Sequence, residues 1–286
     1  MRLPMPVTSR TTTARHRRPL TVAHRGASAQ VAENTLAAMR RAIALDSDLV
    51  EVDVQRTRDG ALVLMHDTTL VRTTNVKRVF PGRGPWRVAD FSYDELMRLD
   101  AGGWKSPDHA GERIPTLAEA VEVVRRSRTG LLLELKAPGR YPGLVSDVVA
   151  ALWGIPGYLD PAVAARRLAV QSFDVAAMKD HKTQLPAVPV GLLGTPPPVN
   201  LPALASWADQ VNPSHVAVNE GYVDHVHSLG MECFVWTVNG RPAMRRAIRM
   251  GADGIITNRP DALAAVVTAR AGSTVVEEPG EVSLQI

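Results

Sequence analysis

The stretch TVAHRGASAQVAENTLAAMRRA, residues 21–42, decides between two kinds of α/β fold. It begins as an apolar strand and ends as an amphipathic helix, with His24 and Arg25 at the junction. A doubly wound open sheet usually carries a glycine-rich dinucleotide loop after its first strand, and HRGASA lacks the glycine spacing of that loop. The stretch therefore favours a barrel unit. It also raises the question of what His24 and Arg25 meet, because both are costly to bury without partners.

The alternation of strand and helix continues along the chain. The run at 61–67 follows an Asp59-Gly60 turn and is expected to pair with the strand before it, which leaves eight strand–helix units. Eight units in about 250 residues indicate a single (β/α)8 TIM barrel, here over residues 20–270. A Gly/Pro-rich segment, about 68–115, is predicted to be an insertion after the second strand pair. The predicted strands are 20–24, 48–57, 61–67, 130–137, 168–173, 187–194, 209–215, 232–238 and 254–258.

Composition excludes several classes of protein. With 45% hydrophobic and 22% charged residues in 286, the chain has ordinary globular composition. No run approaches the roughly 20 apolar residues of a membrane span, and the first residues lack the apolar centre of a secretory signal. Cys233 is the one cysteine, which rules out a disulfide framework and fits a reducing compartment. We therefore expect a cytoplasmic location.

The net charge of +4 is concentrated at the chain ends. Five arginines lie in residues 1–20 and three glutamates in residues 271–286, so the body between them is close to neutral. This distribution argues against a nucleic-acid partner. Residues 1–19 and 271–286 are expected to be disordered basic and acidic tails. The basic tail suggests weak contact with an anionic membrane surface.

Polar side chains occur at the carboxyl ends of the predicted strands, where a barrel of this kind carries its chemistry. The first strand ends in His24 and Arg25. Glu51 and Asp53 lie two positions apart on the second strand and so on the same side of it. The others, at the ends of later strands, are His66, Asp67, Glu134, Lys136 and Trp236.

The residue types predict a chemistry. Three carboxylates, Glu51, Asp53 and Glu134, favour a hard cation such as Mg²⁺ or Ca²⁺ over zinc, because no cysteine accompanies them. Two histidines can act as an acid and base pair near neutral pH. An arginine and a lysine supply fixed positive charge for an anion. The set predicts chemistry on a phosphodiester, so that a phosphate is what His24 and Arg25 are expected to meet.

Each residue alone also has a structural interpretation. Glu51 and Asp53 could be outward-facing residues of a half-buried strand. Glu134 and Lys136 could form a simple salt bridge, and Trp236 could belong to the core. Chance would have to place all of them at the same ends of different strands, so the combination favours a site.

The order of short motifs resembles that of the glycerophosphodiester phosphodiesterase family, which are phosphatidylinositol-phospholipase-C-like phosphodiesterase barrels. Each motif is weak alone, but their order and spacing between residues 21 and 263 are specific. The motifs are HRG, ENT, EVDV, HD, RTTN, IPTLAEA, LELK, WTVN and GADGIITNRP.

The resemblance implies a role for each candidate residue. His24 and His66 would be the catalytic histidines. Glu51, Asp53 and Glu134 would ligate a divalent metal. Arg25 and Lys136 would bind the phosphate, and Trp236 would line the glycerol side of the pocket. The roles of Glu33 and Asn34 in ENT stay open, since Glu33 also suits a helix N-terminus, whose dipole favours an acid.

The resemblance also implies a reaction, the hydrolysis of a glycerophosphodiester to sn-glycerol 3-phosphate and an alcohol. The glycerol 2-hydroxyl, its pKa lowered by the metal, would attack phosphorus. One histidine would take its proton, His66 would protonate the departing alcohol, and water would open the cyclic intermediate. One departure is Asn258, where the family pattern leads us to expect an acid; it is expected to cap the last helix.

Two other functions are compatible with the same motifs. A lysophospholipase D-type enzyme would need an apolar channel for an acyl chain, and a catalytically silent barrel would only bind glycerophosphodiesters. A glycosidase would use the carboxylates but leaves the histidines, Arg25 and Lys136 unexplained. The aromatic residues of the insertion would be either a channel wall or a small core of their own: Phe80, Trp86, Phe91 and Trp104.

Overall fold

Eight parallel strands close into a barrel in the computed structural model, which describes residues 18–273. The barrel order is β1-β9-β8-β7-β6-β5-β4-β2, and pairing of β1 with β2 closes it. β3 pairs antiparallel with β2 outside the barrel. The predicted TIM barrel is confirmed. The strands are β1 Leu20–His24, β2 Leu49–Arg56, β3 Leu62–Leu64, β4 Gly130–Leu135, β5 Leu168–Ser172, β6 Val190–Leu193, β7 Gln210–Asn212, β8 Glu232–Val235 and β9 Gly254–Thr257.

Helices cover the outside of the barrel, and none within residues 18–273 has the length and apolarity to cross a membrane. Local chemistry sets where they begin. Thr116 and Glu119 form a reciprocal capping box at the start of the helix Leu117–Arg125. The helices are α1 Leu36–Ala44, α2 Val76–Val79, α3 Tyr93–Leu96, α4 Leu117–Arg125, α5 Leu144–Gly154, α6 Leu159–Ala164, α7 Val175–Gln184, α8 Leu201–Ala205, α9 Glu220–Ser228, α10 Arg241–Arg249 and α11 Pro260–Ser273.

The barrel interior changes from apolar to polar along its axis. Gly254 lies against the ring of Phe234, and a Cβ at this glycine would come within 2.6 Å of that ring. Two residues further along the strands, the apolar positions of β1 and β4 give way to His24 and Glu134. The site therefore lies on a packed floor at the carboxyl ends of the strands. That floor consists of Val22, Leu49, Leu132, Ala169, Phe234 and Ile256.

The segment 68–115 has a small core of its own. Phe80 and Phe91 are buried there in an edge-to-face contact, with ring centroids 5.3 Å apart. Trp104 is 40% exposed. Of the two interpretations of these aromatics, the structure supports a core for the two phenylalanines. The predictions for residues 1–17 and 274–286 lie outside the described residues, while Arg18 forms a hydrogen-bonded ion pair with Asp48 at 2.7 Å.

Candidate active site

Three carboxylates meet at the carboxyl ends of β2 and β4. Asp53 and Glu134 are register partners on these strands, and Glu51 lies two residues before Asp53. One oxygen from each lies within 4.8 Å of the others. Glu51 Oε2 accepts a hydrogen bond from the Arg25 backbone N–H at 2.8 Å, but Glu51 Oε1 and Asp53 Oδ1 accept none from the described residues. Buried oxygens without donors are what a hard cation needs, so the cluster fits a divalent metal.

The electrostatics of the cluster also favour a cation. Burial, with Asp53 and Glu134 nearby, raises the pKa of Glu51 well above its usual value. Burial and Asp53 raise the pKa of Glu134 to about 7. Burial has the same tendency at Asp53, but Arg25 and Lys136 outweigh it and lower the pKa of Asp53. It is therefore unfavourable for all three buried carboxylates to be ionised at once, and a bound cation would offset that cost.

Two cationic side chains, both predicted to bind phosphate, lie beside the carboxylates. Lys136 Nζ is 2.5 Å from Glu134 Oε1 and 3.6 Å from Asp53 Oδ1. Arg25 Nε is 3.4 Å from Asp53 Oδ2, and its Nη1 donates to Glu33 Oε1 at 2.9 Å. Both are mostly buried, with 14% and 15% of the side chain exposed. Positive charge at a partly dry site is suited to holding an oxyanion.

His24 has its two ring nitrogens in different environments. Nδ1 is 2.6 Å from Asn258 Oδ1, and Nε2 is 4.0 Å from Glu51 Oε2. Because an amide oxygen only accepts, Nδ1 carries the proton and Nε2 keeps its lone pair. Burial, together with Arg25, lowers the pKa of His24 to about 4, so the ring is neutral at pH 7. The contact with His24 replaces the helix-capping role predicted for Asn258.

His66 is held by a carboxylate that is itself held by an arginine. His66 Nδ1 is 2.8 Å from Asp67 Oδ1, and Arg72 donates to both oxygens of Asp67 at 2.7 and 3.0 Å. Burial opposes ionisation of Asp67, but Arg72 and His66 lower its pKa to about 2. Arg72 also donates to both oxygens of Glu33. The sequence gives RTTN as a motif, but no pattern in it points to these contacts.

Two aromatic side chains follow β5 and β8 at the same end of the barrel. The Trp236 Nε1–H donates to the Asn212 carbonyl at 2.6 Å, and the indole meets Phe173 edge to face at 5.8 Å. Phe173 is 56% exposed. It directly follows β5, and the sequence does not point to it, because a lone aromatic residue at a strand end gives no chemical signal. Asn34, whose role the motif ENT leaves open, donates from Nδ2 to Asp53 Oδ2 at 2.7 Å.

Comparison with known proteins identifies the family. A model of the glycerophosphoryl diester phosphodiesterase family matches residues 24–262. The chain belongs to this family. Its members are phosphoric diester hydrolases, and this is the enzyme class of the chain, as the motifs predict. The residues described in this section all lie within the matched range.

Relatives and solved structures agree with the family match. A glycerophosphodiester phosphodiesterase of Caldanaerobacter subterraneus is 36% identical over 248 residues, which cover 85% of this chain and 96% of that protein. One of Bacillus subtilis is 32% identical over 258 residues, covering 85% of each. The structure of an Oleispira antarctica phosphodiesterase in complex with its product sn-glycerol-3-phosphate superposes with a TM-score of 0.78. It is 28% identical and covers 87% of this chain and 97% of that one.

Proposed function

We propose that this protein hydrolyses glycerophosphodiesters to sn-glycerol 3-phosphate and an alcohol, using histidine acid–base catalysis. One observation carries the proposal: buried carboxylates, two cationic side chains and two histidines converge at one end of the barrel. The product complex of the Oleispira antarctica phosphodiesterase supports the choice of substrate. Such a set can bind a phosphodiester, move two protons and hold negative charge on phosphorus.

A divalent cation, Mg²⁺ or Ca²⁺, is the cofactor we propose, held by Glu51, Asp53 and Glu134. Support comes from the two buried oxygens that accept no hydrogen bond from the described residues, and from the raised pKa values of Glu51 and Glu134. When bound, a cation of this kind lowers the pKa of a hydroxyl group and neutralises charge on a phosphoryl oxygen.

His24 and His66 then divide the proton transfers. His24 Nε2 takes the proton of the glycerol 2-hydroxyl as its oxygen bonds to phosphorus. His66 gives a proton to the departing alcohol oxygen as its bond to phosphorus breaks. Arg25 and Lys136 hold the charge on the phosphoryl oxygens. In the second half, His66 takes a proton from water as the water oxygen bonds to phosphorus, and His24 returns its proton to the 2-hydroxyl oxygen as the bond from that oxygen to phosphorus breaks.

The test is release of glycerol 3-phosphate from glycerophosphocholine and glycerophosphoethanolamine, with Mg²⁺, with Ca²⁺ and with a chelator. We expect turnover to need a cation and to fall by about 10³-fold or more in His24→Ala and in His66→Ala. His225→Ala, on α9, is the matched control and should match the wild type. Substrate that binds without turnover would instead identify a binding barrel.

Lysophospholipids are the second candidate substrate. The insertion places Phe80 and Phe91 in its own core, but other apolar side chains are exposed after β5, β6 and β7. These are Phe173, Val199 and Val216, exposed by 56%, 81% and 76%. Turnover of lysophosphatidylcholine that falls selectively in Phe173→Ser would support an acyl chain on this side of the site.

A further inference from the structure

Arg72 connects two parts of the site that lie far apart in sequence. It stands at the start of the insertion, and its guanidinium makes four hydrogen bonds to carboxylate oxygens. Two go to Asp67, at 2.7 and 3.0 Å, and two go to Glu33, at 2.9 and 2.7 Å. Paired bonds of this kind fix the orientation of both partners as well as their charge. The Trp104 ring lies 5.9 Å from the guanidinium carbon.

Each of the two carboxylates contacts a group assigned to the reaction. Asp67 Oδ1 lies 2.8 Å from His66 Nδ1, and Glu33 Oε1 accepts from Arg25 Nη1 at 2.9 Å. A continuous set of contacts thus runs from His66 through Asp67, Arg72 and Glu33 to Arg25. Arg72 is its midpoint and the one member that bonds to both acids.

We propose that Arg72 is a positioning residue that orients His66 for protonation of the leaving alcohol and Arg25 for phosphate binding. The proposal rests on the proposed function. Without Arg72, Asp67 and Glu33 would repel each other and lose their shared anchor, so the ring of His66 would no longer be held at one angle. A lysine supplies the charge but not the planar fork, so it cannot make four bonds to two carboxylates.

A comparison of two leaving groups isolates this role. The choline of glycerophosphocholine must be protonated as it leaves, whereas the 4-nitrophenolate of glycerol 3-(4-nitrophenyl phosphate) leaves without a proton. We expect Arg72→Ala to lower kcat/KM for the choline ester by about 10²-fold, the size of a general acid's contribution. For the nitrophenyl ester we expect kcat/KM, which reports the steps up to release of the nitrophenolate, to fall by about tenfold or less, from the looser hold of Arg25 on the phosphate. General damage to the site would lower both equally.

Matched variants complete the test. Arg58→Ala removes an arginine of the turn between β2 and β3 that is paired with Glu95 of the insertion, and should leave hydrolysis of both esters unchanged. Arg72→Lys should restore less than half of the lost rate with the choline ester, and Arg72→Gln provides a second variant if thermal unfolding shows that Arg72→Ala is not folded. In an Asp67→Asn background, Arg72→Ala should cost no more than the roughly tenfold loss expected through Arg25, because its effect on His66 is already removed.

Equal losses for the two esters, full activity of Arg72→Lys, or additive effects of Arg72→Ala and Asp67→Asn would each overturn the positioning role. A wild-type protein that hydrolyses neither ester would contradict the proposed function itself. The two failures are therefore distinguishable.

Discussion

At the scale of single residues, one amide sets the proton position of His24. A carboxylate at position 258 would attract a second proton to the ring, whereas the amide oxygen of Asn258 only accepts the one on Nδ1. Burial then keeps the ring neutral, with a pKa of about 4. Asn258, in place of the expected acid, is therefore compatible with His24 acting as a base. Its contact with Nδ1 still leaves Nε2 of His24 facing Glu51.

Removal of the Asn258 amide should disturb the orientation of His24. In Asn258→Leu the buried Nδ1–H loses its acceptor, and the ring can rotate or change tautomer. We expect kcat for glycerophosphocholine to fall by about 10- to 100-fold, as for other residues that orient a site histidine, with a smaller change in KM. Asn258→Asp keeps an acceptor and should retain more activity. An unchanged kcat in the leucine variant would contradict the assignment.

The sequence predicts which residues reach the site better than it predicts their contacts. Alternation along a strand puts Glu51 and Asp53 on one side, and barrel closure brings distant strand ends together, so the main candidates could be named in advance. The contacts of Arg72 with Glu33 join two loops 39 residues apart. Loop conformation depends on tertiary packing, and no local pattern encodes it.

At the scale of elements, the sequence predicts which strands exist better than where strands and helices end: β7 spans Gln210–Asn212, against the predicted 209–215. Buried parallel strands are short apolar runs, which the sequence displays directly. The sequence predicts α1 from Glu33, but the helix begins at Leu36, because Asn34 takes a positive φ of 55° and Thr35 is the N-cap. α6 was not predicted, since Gly157 and Pro161 interrupt a segment too short to show a helical period.

Helix α7 carries a histidine whose burial makes stability depend on pH. His181 is completely buried, and neither ring nitrogen has a hydrogen-bond partner in the part of the chain that the structure describes. Burial lowers the pKa of His181 from 6.5 to about 4. Lys182 lowers it further, and Asp180 opposes the shift. The unfolded chain therefore binds more protons than the folded one between these two values. Stability present above pH 6.5 is lost as the pH falls towards 4.

Replacing His181 removes this dependence. When the pH falls from 7 to 5, we expect the free energy of unfolding to decrease by about 2 kcal/mol more in the wild type than in His181→Leu. Leucine leaves no unpaired polar atom at the site, so at pH 7 the variant should be at least as stable. Denaturant unfolding at both pH values measures the difference, with His225→Ala as the control. Parallel pH profiles for wild type and His181→Leu would refute the explanation.

At the scale of the whole molecule, the barrel places a destabilising cluster of three buried carboxylates on the closely packed apolar floor. The interior below the site is apolar and closely packed, whereas the three carboxylates above it are buried and repel one another. A local loss of folding stability of this kind is typical of sites that bind an ion. The rest of the fold holds the carboxylates together without the ion. Cation binding and folding are therefore expected to be linked.

This linkage gives a prediction that does not depend on activity. A cation that binds only the folded state, at 100 times its dissociation constant, stabilises it by about 2.7 kcal/mol. At about 2–4 °C per kcal/mol for a chain of this size, Tm should rise by about 5–10 °C with Mg²⁺ or Ca²⁺ and return with a chelator. Glu51→Gln removes one ligand and a carboxyl group that is costly to ionise at this position. Its Tm without cation should therefore equal or exceed that of the wild type, and added cation should not raise it. Glu220→Gln on α9 should respond as wild type does. An equal rise in Glu51→Gln would place the cation elsewhere.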